Sequence, residues 1–481
     1  MIYTRRICFI TFILLWLSSG TIYAQNSSEK ATADKWITEN ESGLKQVNQR
    51  IWSLAELGLL EHKSSETLIN LLEEHGFTVK RGVANMPTAF IASYGSGKPK
   101  IAILAEYDAL PGLSQKASPV REPRENNTNG HACGHSIYGT ASTGAAIAVR
   151  QTLEKYNLKG TVQLYGTPAE ETGIGKIYMA KEGLFDDCDV VLHWHASDRT
   201  RSSFSTTKAL TSVKFTFHGL AAHASLSPHQ GKSALDAVEL MDIGANFLRE
   251  HLPEDARIHY VITDGGGQPN VVPPVAQVWY YLRANKHSDV EYMFQRMIEI
   301  AKGAAMMTQT TVNWQVDSDT HEILPNQPLA QLIYNNLQKI GPPKFTGEEK
   351  SFARQTQQPL KKQFKNALSE TIDELPKEPA LVKASTDVGD VSWMVPTGGL
   401  NVASYTFGAP GHSWQIVACT GMSIGEKGML VAARALAYTA IDLFTAPEWI
   451  KKAKADFEKR KEGYEFVSLL PEAQKAPKKI R

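Results

Sequence analysis

The chain has 481 residues, 42% of them hydrophobic and 21% charged, with 51 Lys and Arg against 50 Asp and Glu. That near-neutral balance gives no electrostatic case for a nucleic-acid partner, and no basic patch is interleaved with aromatics. The length exceeds what one hydrophobic core ordinarily organises, so two domains are expected.

Arg5 and Arg6 precede an apolar run from Ile7 to Leu17, followed by small residues up to Ala24. This reads as a cleavable signal over residues 1–24 and predicts a periplasmic or secreted mature protein. The run is too short to favour a membrane span, so no membrane attachment is expected once it is removed; left in place it would act as an anchor. Beyond it remain Cys133, Cys188 and Cys419, too few for a disulfide framework, and buried free thiols are expected at the last two.

Residues 25–35 are polar and are expected to be loose. Apolar spacing predicts two helices between Trp36 and Glu74, parted near Gly58 and closed by Gly76. Strands are predicted at 90–95 and 100–105. The second is nearly all apolar, the mark of a strand buried on both faces, and runs into Glu106 and Asp108. Acidic groups just past such a strand sit where α/β folds place ligands. A polar loop at 114–130 leads to His131-Ala132-Cys133-Gly134-His135-Ser136, then to a small-residue helix at 139–152. The next strands, 161–166 and 190–195, end at Glu170-Glu171 and at His193-Trp194-His195. Three successive strands thus finish in ionisable groups.

From residue 209 the pattern changes to strands at 213–218, 261–263, 271–273, 276–283 and 310–316, with helices at 233–250 and 288–304. A compact sheet with two helices on one face suits this block, an inserted α+β domain at 209–322. Residues 25–208 and 323–450 are then two parts of one catalytic α/β domain. Within the second part, 342–380 predicts an irregular insertion, and 451–481 a solvated helix with a loose basic end.

Cys133 and His135 place a thiolate and an imidazole two residues apart on a glycine-bent loop, where both can grip one divalent ion and the sulfur can bridge to a second. Glu170 and Glu171 point apart on a tight turn, so that one can bind metal while the other handles the proton of a water, unless the pair is simply solvated. His193 and His195 share one face of their strand, and both could reach a metal, or one could be a packed polar residue. His412 lies on an open loop between Gly411 and Ser413, as a ligand or an ordinary loop histidine. His131 and Asp108 are candidates for orienting a ligand imidazole. Asp387 and Asp390 either line the cleft or cap a helix. In the inserted block His223, Asn270 and Arg283 are candidate substrate contacts, the arginine for a carboxylate, although each taken singly is more often structural.

Taken together, 105–112, 131–135, Ala169-Glu170-Glu171, His195, 219–225, 270–273 and His412 resemble the motifs of the dinuclear metallo-amidohydrolases and exopeptidases, the family of aminoacylases, hippurate hydrolase and auxin-conjugate hydrolases. The resemblance implies a zinc-exopeptidase-like α/β catalytic domain with an inserted ferredoxin-like α+β dimerisation (lid) domain. It implies two divalent ions, zinc or manganese, held by Cys133, His135, Glu171, His195 and His412, with Glu170 as general base and acid. His195 is preferred over His193 by its distance from Asp189, and Ser136 stands where many relatives carry Asp. His223 and Asn270 would help hold the scissile carbonyl across a homodimer, and Arg283 matches a family arginine loosely. The implied substrate is an N-acyl or N-aroyl amino acid. The 342–380 insertion fits the aminobenzoyl-glutamate branch, whose members work with a homologous second subunit. The rival readings are a dipeptidase or carboxypeptidase on the same scaffold, and a non-catalytic binding module that keeps the fold.

Overall fold

The computed structural model describes residues 28–362 and 364–478; the export signal expected at 1–24 lies outside the described residues. Thirteen strands are used below: β1 Thr78–Arg81, β2 Phe90–Ser96, β3 Lys100–Ala105, β4 Gly160–Gly166, β5 Val190–Ser197, β6 Arg201–Ser203, β7 Ser205–Thr206, β8 Ala209–His218, β9 Arg257–Asp264, β10 Val275–Ala284, β11 Thr311–Thr320, β12 Ala380–Leu381 and β13 Thr397–Ala403.

Seven of them form one sheet in the order β1-β2-β4-β3-β5-β13-β6. Its centre, β4-β3-β5-β13, is parallel, while β1, β2 and β6 pair antiparallel at the edges. The buried apolar run of β3 explains its central place, since only a strand covered on both faces gains from such a sequence. Helices His135–Tyr156 and Ser423–Thr445 pack together over one face. Ala141, Ala145 and Ala148 of the first and Ala432, Ala433 and Ala437 of the second are buried there, and small side chains let the backbones approach closely. Helix Ser423–Thr445 is long and apolar enough to cross a membrane, yet most of it is buried in this core.

Strands β8 to β11 form a second, antiparallel sheet in the order β11-β8-β10-β9. Burial alternates along β10, so Val278, Tyr280 and Leu282 face helices Ala234–Leu248 and His287–Thr308, and Tyr281 and Arg283 face away from them.

Four local expectations are corrected. Residues 28–39 are helical, because Ala33 and Ile37 are buried and Lys30 pairs with Asp442 at 2.6 Å, contacts that composition does not reveal. The 342–380 insertion holds a helix, Gly347–Gln357, started by a reciprocal cap between Thr346 and Glu349. Residues 271–273 are no strand: Val271 only bridges His223, and Pro273 and Pro274 have no N–H to extend a ladder. The C-terminal stretch is docked, with Leu470 and Ala476 buried and the Leu469 N–H donating to Asp319 Oδ2 at 2.7 Å.

Candidate metal centre

The parallel core has all its carboxyl ends on one edge of the sheet, so the loops leaving those ends converge. The segment after β3 carries Glu106 and Asp108, the turn after β4 carries Glu170 and Glu171, β5 brings His195, and the loop after β13 brings His412. Cys133 and His135 enter on the loop that starts helix His135–Tyr156. That entry depends on Gly134, which has φ +84°, and a Cβ there would lie 2.6 Å from Ala196 Cβ. Ala169 (φ 57°) and His412 (φ 55°) are also left-handed, without being glycine. Such strain persists only where the surroundings impose it, and it clusters at functional sites.

The five expected ligands come together as two trios. Possible donor atoms of Cys133, His135 and His195 lie within 4.8 Å of one another, as do those of Cys133, Glu171 and His412. Cys133 is the shared vertex, with its Sγ 3.4 Å from His195 Nε2. Glu171 Oε2 lies 3.3 Å from His412 Nε2. His135 Nδ1 donates to Asp108 Oδ1 at 2.8 Å, and His195 Nδ1 to the Ala196 carbonyl at 2.7 Å, so that both Nε2 atoms turn into the cleft, that of His195 towards Cys133 Sγ and that of His135 towards Glu106 Oε2 at 3.2 Å. Asp108 thus holds the His135 ring in place, as expected of an orienting partner, and its second oxygen accepts the Glu171 N–H at 3.0 Å. His131 is not: its Nε2 meets the Ile51 carbonyl at 3.0 Å. His193 belongs to neither trio; its ring packs over Gly399, where a Cβ would lie 2.2 Å from its Nε2.

The residues present fit two cations. His135 Nε2, Glu171 Oε1 and Glu106 Oε2 are buried without a hydrogen bond, His135 Nε2 lying 3.2 Å from Glu106 Oε2, although all three are strong bonding groups. Burial, with Glu171 next in weight, pushes the Cys133 thiol up, and burial also holds Glu171 well above the usual carboxylate range. Such groups stay costly as anions until positive charge arrives. A thiolate, imidazoles and one carboxylate make the soft-to-borderline set that zinc and its neighbours take.

Glu170 lies beside the trios that share Cys133 and belongs to neither. Its Oε1 accepts the Thr386 hydroxyl at 2.8 Å, and its Oε2 lies 3.8 Å from His135 Nε2. Burial first, and then the charge of Glu106, raise its proton affinity. Behind it Lys176 is fully buried between Glu106 Oε1 at 2.8 Å and Asp387 Oδ1 at 2.6 Å. Sequence reasoning missed Thr386 and Lys176, and left Asp387 between the cleft and a helix cap. The available signal was Lys176, set beside the apolar run Ile177 to Ala180. Arg201, Asn401 and Tyr405 also line the cleft without having been singled out. Asp390 serves elsewhere, holding His321 Nδ1 at 3.1 Å.

Of the expected substrate contacts, Arg283 lines the same cleft. His223 and Asn270 lie against each other, with the Ala224 N–H donating to the Asn270 carbonyl at 2.9 Å, but both are exposed and neither lines this chain's cleft.

A thiol, imidazoles and glutamates gathered at the carboxyl edge of a parallel sheet, with Glu106 and Glu170 standing outside the trios that share Cys133, define a metal-dependent amidohydrolase built on an exopeptidase-like α/β fold. The profile of peptidase family M20/M25/M40 matches residues 102–442, and the chain belongs to that family. It is 44% identical over 424 residues to one of the subunits of the p-aminobenzoyl-glutamate hydrolase of Escherichia coli K12, covering 83% of this chain and 88% of that protein. Among solved structures, the aminobenzoyl-glutamate utilization protein from Klebsiella pneumoniae superposes with a TM-score of 0.61 at 18% identity, over 85% of this chain and 98% of the other. A dinuclear metal-binding M20 peptidase from Bacillus subtilis superposes with a TM-score of 0.57 at 15% identity, over 85% and 99%.

Proposed function

We propose that the chain cleaves the amide bond of N-aroyl amino acids, p-aminobenzoyl-glutamate among them, using two divalent ions at the trios that share Cys133. The observation that carries this reading is the placement of Glu170, outside those trios yet fixed beside them by Thr386. The 44% identity to the Escherichia coli hydrolase favours an aroyl-glutamate over a dipeptide.

Cys133, His135 and His195 would hold one ion and Cys133, Glu171 and His412 the other, with zinc or manganese as the metal. The chemistry that the ions supply when bound is polarisation of the amide carbonyl and acidification of a water. Glu170 receives the water's proton at Oε2, because Oε1 is engaged by Thr386. Its raised proton affinity suits it to keep that proton and then pass it to the departing amine nitrogen. Asp108 keeps His135 in the ligating tautomer throughout. Arg283 takes the substrate carboxylate.

His223 and Asn270 would serve the cleft of a partner subunit. β9 is an open sheet edge with Tyr260, Val261 and Ile262 exposed, and such an edge is a surface for pairing. The partner is a second copy or, as the name of the Escherichia coli relative suggests, a homologous subunit. Export to the periplasm or beyond is proposed from the N-terminal segment.

The test is release of p-aminobenzoate from p-aminobenzoyl-glutamate by purified protein, with and without chelator and with zinc or manganese restored. Metal-dependent release is expected. Turnover of dipeptides with no release of p-aminobenzoate would transfer the chain to the dipeptidase reading.

A further inference from the structure

Beyond Arg283 the cleft adjoins a second cavity of about 850 Å³, and Tyr281 and Arg283 line both. On the far side of these residues stand Arg257 and His259 of β9, Lys208 ahead of β8, and Lys383 from the chain that follows β12. The register explains the grouping. Arg283 on β10 is directly opposite Arg257 on β9, and Tyr281 is opposite His259. All four lie on the sheet face that the two helices leave uncovered, since their neighbours Ile258, Tyr280 and Leu282 are the buried ones.

Two guanidinium groups directly opposite on one sheet face repel each other unless an anion lies between them. The cavity's own acids do not fill that role. Asp255 lies 3.7 Å from Lys208 and accepts the Asn285 N–H at 2.7 Å. Arg257, Arg283 and Lys383 form no ion pair with any described residue, and neither does Glu254. Arg257 spends Nη1 on the backbone carbonyls of Glu254 and Ala256, both at 2.7 Å. Arg283 donates to Ser385 Oγ at 3.0 Å and lies over the Tyr281 ring, yet it is half-buried and has no counter-charge. A partly desolvated cation without a partner is costly, and an arriving carboxylate would remove that cost. The local potential is positive: burial first, then Arg283, Arg249 and Arg257, depress the proton affinity of His259.

We propose that this annex receives the second carboxylate of a dicarboxylic amino acid, so that amides whose amine half carries an acidic side chain are selected over neutral ones. The inference rests on the aroyl-amino-acid reading above and adds to it a specificity element. Arg283 at the junction meets one carboxylate, and Arg257 and Lys383 meet the other. Lys383 is carried by the segment that runs on from the 342–380 insertion, which gives that part of the chain a place in substrate selection.

The experiment compares p-aminobenzoyl-L-glutamate with p-aminobenzoyl-L-glutamine, its isostere with an uncharged side chain, in the wild type, Arg257→Gln, Lys383→Gln and the double variant. It also measures binding of free L-glutamate and L-glutamine to the same metal-loaded proteins by calorimetry. The wild type is expected to prefer the glutamate amide by at least about tenfold in kcat/KM. In the double variant that ratio falls towards one through a rise in KM for the glutamate amide, the glutamine amide is slowed far less, and L-glutamate binding is lost. The wild-type preference also shrinks as salt is raised. Equal hydrolysis of the two amides by the wild type, or equal slowing of both by the double variant, overturns the proposal. So does calorimetry that finds no preference for glutamate. If neither amide is cleaved while glutamate binding still depends on Arg257 and Lys383, the annex stands and the aroyl-amino-acid reading falls.

Discussion

Glu170→Gln separates two ways of seating metal in this cleft. Glu106, His135 and Glu170 form a third group whose donor atoms lie within 4.8 Å of one another, so Glu170 could be a ligand and not the proton carrier. The local charges argue against that. Glu106 Oε1 is already neutralised by Lys176 at 2.8 Å, which weakens this group as a cation seat relative to the trios built on Cys133. Glutamine keeps the length of the side chain and keeps an oxygen to accept the Thr386 hydroxyl, so the backbone turn and Glu171 stay in place. Only the ability to take and return a proton is lost. A positioned general acid–base contributes about 10²–10⁴-fold, or roughly 3–5 kcal/mol of barrier. The variant is therefore expected to lose about two to four orders of magnitude in kcat, with KM changed by about threefold or less and metal content equal to the wild type. Elemental analysis of the purified variant, beside steady-state release of p-aminobenzoate, checks both halves. A variant that loses an ion, or that keeps more than about a tenth of wild-type kcat, refutes the assignment of Glu170 as the proton carrier.

Cys133→Ser removes the one donor that both trios share, so it is expected to lower binding of both ions, whereas His412→Ala lowers one and leaves the other; metal stoichiometry after dialysis distinguishes the two. Asp108→Asn leaves every ligand in place but removes the acceptor of the His135 Nδ1 proton, and metal affinity measured by chelator competition is expected to fall about 10–100-fold. Away from the cleft, His287 is buried against Asp319 at 3.0 Å. Burial disfavours the His287 cation, but Asp319 and Glu291 outweigh burial and hold its pKa at about 10. A pKa raised above the ordinary histidine value means stability that is full below about pH 6.5 and is lost as pH rises through about 10. Thermal melts should therefore decline between pH 7 and 10, and His287→Gln should flatten that slope while costing about 3–5 kcal/mol at neutral pH by stranding Asp319.

The chemistry-bearing motifs were legible because each is a short run of residue types that local physics restricts. Cys133-Gly134-His135 needs its glycine for a left-handed step, and Glu170-Glu171 stands on the turn that follows a mostly apolar, buried strand. The alternation from Val213 to His218 in β8 marked a half-covered strand in the same way, since a strand covered on one face repeats every two residues. The family resemblance then pointed to His195 over His193, which spacing along one strand face could not separate.

Residues far apart in the chain escaped such reading. The helix at residues 28–39 is held by Lys30 reaching Asp442, and nothing within its own sequence announces that ion pair. Lys176 meets Asp387 across 211 residues, and Thr386 fixes Glu170 across 216, so their roles exist only where the β4 turn and the 385–390 turn come together. The Arg257–Arg283 pairing likewise arises from strand register, which alternation suggests but does not assign. Local sequence thus determined which groups could do chemistry and which strands would be buried. The tertiary structure alone decided which of those groups share a vertex, which carboxylates are left over and which cations face each other, because distances across the fold depend on the packing of the whole chain and on no single segment of it.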